Sequence, residues 1–277
     1  MSTSVFVVVL LAAALHASWN AVVKVGKDTD ATAILVSSAA AFIALLALPF
    51  LHRPAIASWP FLATSAIIHI AYFLLVARAY RTADMGQAYP LMRGAAPIIV
   101  AVVSTTFLGG RLSHPAMVGI ALICFGVAGM AFGTKREHFR GTAYAVGNAV
   151  VIASYTLVDG LGARNSGSPF AYAFWIFLLS GAPLGLWLIT VRRESMNRLQ
   201  SSSLWRAFLG GAASILSYSL VLWAMTVASI PTVAALRETA ILFGAAISIL
   251  VLKENARPIR AAASGVIAAG AAMIRLA

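Results

Sequence analysis

Charge is what this chain has least of. Only 10% of its 277 residues are Asp, Glu, Lys or Arg, and 8 of them are acidic. A soluble domain carries about 25% charged residues and about 45–50% apolar ones. Here the apolar share is 61%, and such a surface would be oily, which excludes an ordinary water-soluble globule. Cysteine is almost missing. Cys124 stands alone, so there is no intrachain disulfide and no thiolate metal cluster. No GxxxxGK[ST] phosphate loop occurs. The five histidines, His16, His52, His69, His114 and His138, do not join acids at a recognisable ligand spacing. No nucleophile–base pair can be read either. The chain is therefore not expected to be an enzyme, an intramembrane one being the distant alternative. No cofactor and no metal are expected. The absence of a repeated filter or charged ring argues against a channel.

A net charge of +12 would suggest nucleic acid in a soluble protein. Here no basic stretch is interleaved with exposed aromatics, and membrane proteins collect Lys and Arg in cytoplasmic loops. No nucleic-acid partner is expected; the partners are lipid and a small-molecule substrate.

What the chain does have is apolar stretches of bilayer-crossing length. They run over residues 4–23, 31–51, 59–77, 85–108, 114–132, 141–161, 169–190, 205–227, 231–252 and 257–276. The links between them, such as "HRP" and "GTKREHFR", are short and polar. In lipid each backbone group must bond within its own segment, so the stretches are read as helices. The opening run "SVFVVVLLAAALHA" has no positive charge before it and is read as the first span, not as a cleaved signal.

The stretches repeat. "LGGRLSHPAMVGIALICFGVAGM" (108–130) aligns with "LKENARPIRAAASGVIAAGAAMI" (252–274) at an offset of 144 residues. That offset places Gly126 on Gly270 and Arg93 on Arg237. "ASWN" (17–20) lies over "ASYT" (153–156), and "ARAYRTA" (77–83) over "LWAMTVA" (222–228). The expected architecture is all-α: ten transmembrane helices as two five-helix repeats, 1–133 and 134–277, around a central cavity. Five helices per repeat invert the second copy. The basic residues follow that inversion. Fourteen flank the odd-to-even links (Lys24, Lys27, Arg78, Arg81, Lys135, Arg136, Arg140, Arg192, Arg193, Arg198, Arg206, Lys253, Arg257, Arg260), and only Arg53, Arg111, Arg164 and Arg275 flank the others. By the positive-inside rule both termini face outward.

Ten helices in two repeats, with "LGGRL" and "LKENA" after the fourth helix of each, resemble the drug/metabolite transporter superfamily, and within it the EamA-type bacterial exporters. Members usually carry an acid in that turn. Glu254 fits, whereas the first copy has Gly110. The resemblance implies a secondary transporter of the bacterial cytoplasmic membrane working by alternating access. Amino-acid exporters, sugar-phosphate exchangers and nucleotide-sugar carriers are among its substrate types. Four-helix relatives export lipophilic cations with a first-helix Glu. This chain has no acid before Asp28, which weighs against a drug cation.

Charges inside the spans mark the candidate site. Arg93, Arg237 and Glu238 must face protein or water, since a charge at mid-bilayer costs between ~3 and well over 10 kcal/mol. Neighbouring helix positions diverge by ~100°, so Arg237 and Glu238 cannot both face one partner. An ion pair that only fixes packing is the alternative to a substrate role. Pro97 strips the Arg93 carbonyl of its helical partner and Pro90 does so to Gly86, so a break is expected in the fourth helix. Polar–aromatic stripes extend the list: His16, Trp19 and Asn20; His69 and Tyr72; Tyr144, Asn148, Tyr155 and Asp159; Tyr172 and Trp175; Ser214, Ser217 and Tyr218. The expected cavity residues are His16, Trp19, Asn20, His69, Tyr72, Tyr89, Arg93, Asn148, Tyr155, Trp175, Ser217, Tyr218, Arg237 and Glu238. Cations for a carboxylate, acids for an ammonium and aromatic walls together suit an amino acid. Trp59, Trp187 and Trp205 read as interface anchors. The small-residue stripes Gly181–Gly185 and Ala261–Gly265–Ala269 read as packing within one bundle, that is, a monomer.

Overall fold

The structure, a computed structural model, describes residues 1–26, 29–82, 85–130, 139–191, 201–251 and 258–277. For residues 29–30, 70, 73–74, 76–82, 85–90, 139–142 and 201–203 it describes the backbone alone. Helices account for nearly all of it: α1 Thr3–Lys24, α2 Thr29–Ala47, α3 Trp59–Thr82, α4 Met85–Phe107, α5 His114–Gly129, α6 Phe139–Ser166, α7 Pro169–Val191, α8 Ser201–Val227, α9 Ile230–Arg237, α10 Ala240–Leu250 and α11 Pro258–Leu276. No strand occurs among the described residues. Among the described residues, seven spans are long and apolar enough to cross a membrane, α9 and α10 forming one of them as Ile230–Leu250. Three shorter apolar helices are Ile56–His69, Leu91–Phe107 and His114–Gly129.

Helix ends follow local chemistry. Ser2 caps α1 through the Val5 amide at 3.4 Å, and Ser113 caps α5 through the Ala116 amide at 3.3 Å. Prolines open α7 and α11 and sit in the first turn of α9, where a missing amide hydrogen costs nothing. The turn after α4 explains the departure at Gly110. Gly109 takes φ +64°, and the Gly110 amide bonds back to the Ser104 carbonyl at 2.8 Å. A Cβ at Gly110 would lie 2.6 Å from Ser104 Oγ, so an acidic side chain has no room. Glu254 lies outside the described residues, as do Lys27, Lys135, Arg136, Arg192, Arg193, Arg198, Lys253 and Arg257 of the charge asymmetry.

Packing pairs the helices in a pattern that exchanges the two halves. α1 packs on α8 and α6 on α3; α4 packs on α6 and α9–α10 on α1; α2 packs on α7 and α5 on α11. The α5–α11 seam runs antiparallel. A Cβ added at Gly119 would lie 2.8 Å from the Gly270 carbonyl oxygen, and one at Gly126 3.0 Å from that of Ala263. Side chains cannot exist there without parting the helices. Gly181 and Gly185 seat α7 on α2 at Ser37, Ser38 and Ala41, as expected. The second stripe differs: Ala261, Gly265 and Ala269 lie on the exposed face of α11. Both faces of that helix are apolar enough that spacing alone does not tell them apart.

The core joins Val5 and Val9 to Ile123, Leu222, Leu236 and Ile267, filled out with alanines such as Ala12, Ala235 and Ala271. Large apolar side chains point outward instead, among them Leu11, Phe42, Leu46, Phe125, Leu186 and Ile189. Small residues inside and large ones outside suit a lipid solvent, where close backbone approach, not hydrophobic exclusion, holds helices together. Trp59, Trp187 and Trp205 are exposed near span ends.

Candidate substrate site

The break lies between α9 and α10. Proline inside α4 does not interrupt it: α4 is one helix through Pro90 and Pro97. The interruption falls at Glu238 and Thr239, the same level of the other half. The amides of Glu238, Thr239, Ile241 and Leu242 bond three residues back, to Ala235, Leu236, Glu238 and Thr239, at 2.9–3.0 Å. Thr239 Oγ1 donates to the Leu236 carbonyl at 2.7 Å. Thus a hydroxyl that competes for helical acceptors replaces proline as the breaker. Such a tightened stretch within a helix marks a hinge or a site.

Arg237 and Glu238 diverge there, as their ~100° separation requires. Glu238 turns to α4, where Arg93 Nε donates to its Oε2 at 2.9 Å. Arg237 turns to α6, and its Nη2 donates to the Tyr155 hydroxyl at 3.4 Å. All three charged residues are buried, with 6%, 5% and 2% exposure for Arg93, Arg237 and Glu238. The Nε of Arg237 is buried without a hydrogen-bond partner. His16, on α1, is within electrostatic reach of both guanidiniums.

Aromatic rings gather on the Arg237 side. The Tyr155 ring lies 4.7 Å from His69 and meets Tyr72 edge-on at 5.9 Å. His69 Nδ1 sits 2.9 Å from the Ser65 carbonyl oxygen. A carbonyl only accepts, so Nδ1 carries the hydrogen and Nε2 faces the other way. Ser65 Oγ lies 3.2 Å from His69 Nδ1 and is near enough to act on the Asp159 carboxyl. Tyr218 donates to Asp159 Oδ2 at 2.6 Å and Tyr172 to Oδ1 at 3.3 Å. A polar line therefore runs from Arg93–Glu238 and Arg237–Tyr155 through His69 and Ser65 to Asp159 and Tyr218. Asn148 flanks it, its Nδ2 2.9 Å from Met92 Sδ and its Oδ1 buried without a partner.

Other expected residues stand apart from this line. Trp19 donates its Nε1 to His16 Nδ1 at 3.3 Å and packs beside Leu35 and Val36 of α2. Asn20 Nδ2 bonds back to the His16 carbonyl at 2.7 Å. Ser217 donates to the Ala12 carbonyl at 2.7 Å, a tie between α8 and α1. Trp175 packs on Trp59 at 5.5 Å and lines a lateral cavity of about 310 Å³ with Leu45, His52 and Arg53. The Tyr89 side chain lies outside the described residues. Ser65 is the addition, and Asp159 and Tyr172, already on the expected stripes, join it. Asp159 lies on the α6 stripe, and the i, i+4 spacing of Ser65 and His69 was the available signal for the third-helix pair.

A second cavity of about 360 Å³ opens at one end of the bundle, between Met1, Arg111, Ser113, Thr232, Ile274 and Ala277. Arginines clasp that end. Arg275 bonds the Met1 carbonyl at 3.1 Å and Thr3 Oγ1 at 2.5 Å, while Arg164 reaches the carbonyls of Met225 and Ala228 at 2.7 Å each.

The chain resembles known proteins. Residues 3–132 and again 139–276 match the EamA-like transporter family. The chain belongs to that family. It is also 36% identical over 69 residues to "Multidrug transporter EmrE" of Escherichia coli (strain K12), covering 25% of this chain and 62% of that protein. The match thus spans less than two thirds of the relative's own length. A solved crystal structure superimposes with a TM-score of 0.75 at 16% identity, over 100% of this chain and 98% of the other, which shows a common fold. The chain is a multi-pass membrane protein of the drug/metabolite transporter superfamily.

Proposed function

We propose that this protein exports small zwitterionic metabolites, neutral or aromatic amino acids above all, across a bacterial cytoplasmic membrane by alternating access. Ten spans in two inverted five-helix repeats, 1–133 and 134–277, carry it, with both termini outside and the monomer as the working unit. The observation behind the site is the broken span at Arg237–Glu238, placed against Arg93 and the Tyr155–His69–Tyr72 wall. Discontinuous helices expose backbone and charge without exposing either to lipid.

The inverted repeat is supported by the glycine seam. At the offset of 144, Gly119 corresponds to Ala263 and Gly126 to Gly270. The contacts Gly119–Gly270 and Gly126–Ala263 therefore interchange when the halves are swapped. A two-fold that relates antiparallel helices lies in the membrane plane, the geometry of an inverted repeat.

The match with a multidrug transporter favours a lipophilic cation as the second reading. One experiment separates the two: uptake into proteoliposomes of labelled amino acids and of tetraphenylphosphonium, with and without a pH gradient. Saturable amino-acid flux is expected. Flux of the cation alone overturns the amino-acid reading.

A further inference from the structure

We infer that Arg237 is the group that binds the carboxylate of the transported solute, and that Arg93, although its repeat equivalent, is not. This rests on the transport reading above and names which cation does the work.

The two arginines lie 144 residues apart at matched positions and are equally buried. Their acidic partners differ. Arg93 has Glu238, the residue after Arg237, at 2.9 Å. Symmetry would give Arg237 the residue after Arg93, which is Gly94. Glycine offers no carboxylate. Even a Cβ there would press on the α5 backbone, 3.2 Å from the Cys124 carbonyl oxygen and 3.3 Å from the Ala128 amide nitrogen. The first repeat is thus closed to an acid at the position where the second repeat has one.

Arg237 is left with a long bond to a neutral phenol and a buried Nε bonded to nothing. A guanidinium presents its donors as a planar fork suited to a carboxylate. Leaving that fork half-used in a buried setting is costly. The other acid in the polar line, Asp159, has both oxygens engaged by Tyr172 and Tyr218. The trio of Arg93, Arg237 and Glu238 carries two positive charges and one negative, a surplus that one solute carboxylate would balance. The start of α10 adds the positive end of a helix beside it. Tyr155, which holds Arg237 on one side, packs against His69 and meets Tyr72 edge-on. A carboxylate on Arg237 would therefore carry its apolar or aromatic substituent onto those rings.

The test uses the full chain, in detergent for thermal unfolding and in proteoliposomes for flux. The probes are L-phenylalanine and L-phenylalaninamide, which lacks the carboxylate. Arg237→Met should unfold at the wild-type temperature or above it, because it deletes a buried cation that no carboxylate hydrogen-bonds, whereas Arg93→Met should unfold lower, because it strands Glu238. Phenylalanine flux should fall at least roughly tenfold in Arg237→Met, the loss expected for a charge-assisted pair. Arg237→Lys, which keeps the charge and loses the fork, should retain part of it. Phenylalanine should raise the wild-type unfolding temperature more than the amide does, and that difference should vanish in Arg237→Met. Arg237→Met unfolding as low as Arg93→Met, failing to fold, or carrying phenylalanine at the wild-type rate overturns the inference. A wild-type protein that carries no amino acid overturns the amino-acid reading instead. The thermal comparison of the two arginine variants, repeated with benzoate as the carboxylate, then still decides the role of Arg237.

Discussion

Arg93 and Glu238 form a buried ion pair at 2.9 Å that ties α4 to the break between α9 and α10. The acid is thus partnered across the bundle and not by the arginine beside it in sequence. Removing one member strands the other, at a cost of about 3–5 kcal/mol. Glu238→Gln should therefore lower the unfolding temperature, and adding Arg93→Met should restore most of it. Adding Arg237→Met instead should not. Thermal unfolding of the three variants checks this, and equal rescue by either arginine would mean that Glu238 is shared evenly between them.

Much of this site was legible because charge is so rare in the chain. Arg93, Arg237 and Glu238 stand out in apolar runs, and the duplication pairs the two arginines. The ~100° between adjacent helix positions required Arg237 and Glu238 to part, and they do. What the residues did not announce was the break itself. Residues 236–240 contain neither Gly nor Pro, while α4 holds two prolines and stays one helix. Trp175 parts from its stripe for a related reason. It shares a stripe with Tyr172, yet Tyr172 reaches Asp159 while Trp175 meets Trp59. Three residues advance a helix by ~4.5 Å, enough to bring two long side chains to different neighbours. Asp159 lay on a visible stripe, but its partners come from α3, α7 and α8, which only the folded bundle assembles.

The antiparallel glycine seam should tolerate no added atoms. Gly119→Ala and Gly270→Ala each put a Cβ less than 3 Å from the facing carbonyl. Overpacking of this kind costs about 1–3 kcal/mol. Gly265→Ala, with nothing within 4 Å, should be neutral or stabilising by up to about 1 kcal/mol through helix propensity. Unfolding temperatures measured side by side test the contrast. Equal effects at 265 and 270 would show that the seam does not hold the halves together.

The two tyrosines on Asp159 should differ in weight. Tyr218 donates at 2.6 Å and Tyr172 at 3.3 Å. A hydrogen bond to a charged group contributes about 1.5–3 kcal/mol when short and well placed. Tyr218→Phe should therefore destabilise more than Tyr172→Phe, and the double variant should lose less than the sum, because both act on one carboxylate. A double-mutant cycle followed by thermal unfolding gives the coupling. Strict additivity would mean that the phenols do not share Asp159.

Accessibility separates the central site from the lateral one. Tyr72 flanks the Tyr155 ring at the broken span, whereas Trp175 lines the cavity beside His52 and Arg53. The native thiol gives little background, since Cys124 is 2% exposed. On the proposed orientation, with the odd-to-even links in the cytoplasm, Arg53 and the lateral cavity would face outward. Cysteine at 175 should then label in intact cells with a membrane-impermeant thiol reagent. Cysteine at 72 should label through the transport path, and phenylalanine should slow that reaction but not the one at 175. A reporter active only outside the cytoplasm, fused after Ala277, should be active on the same orientation. Labelling at 175 only in inverted vesicles, together with an inactive reporter, would reverse the orientation while leaving the repeat and the Arg93–Glu238 pair as they are.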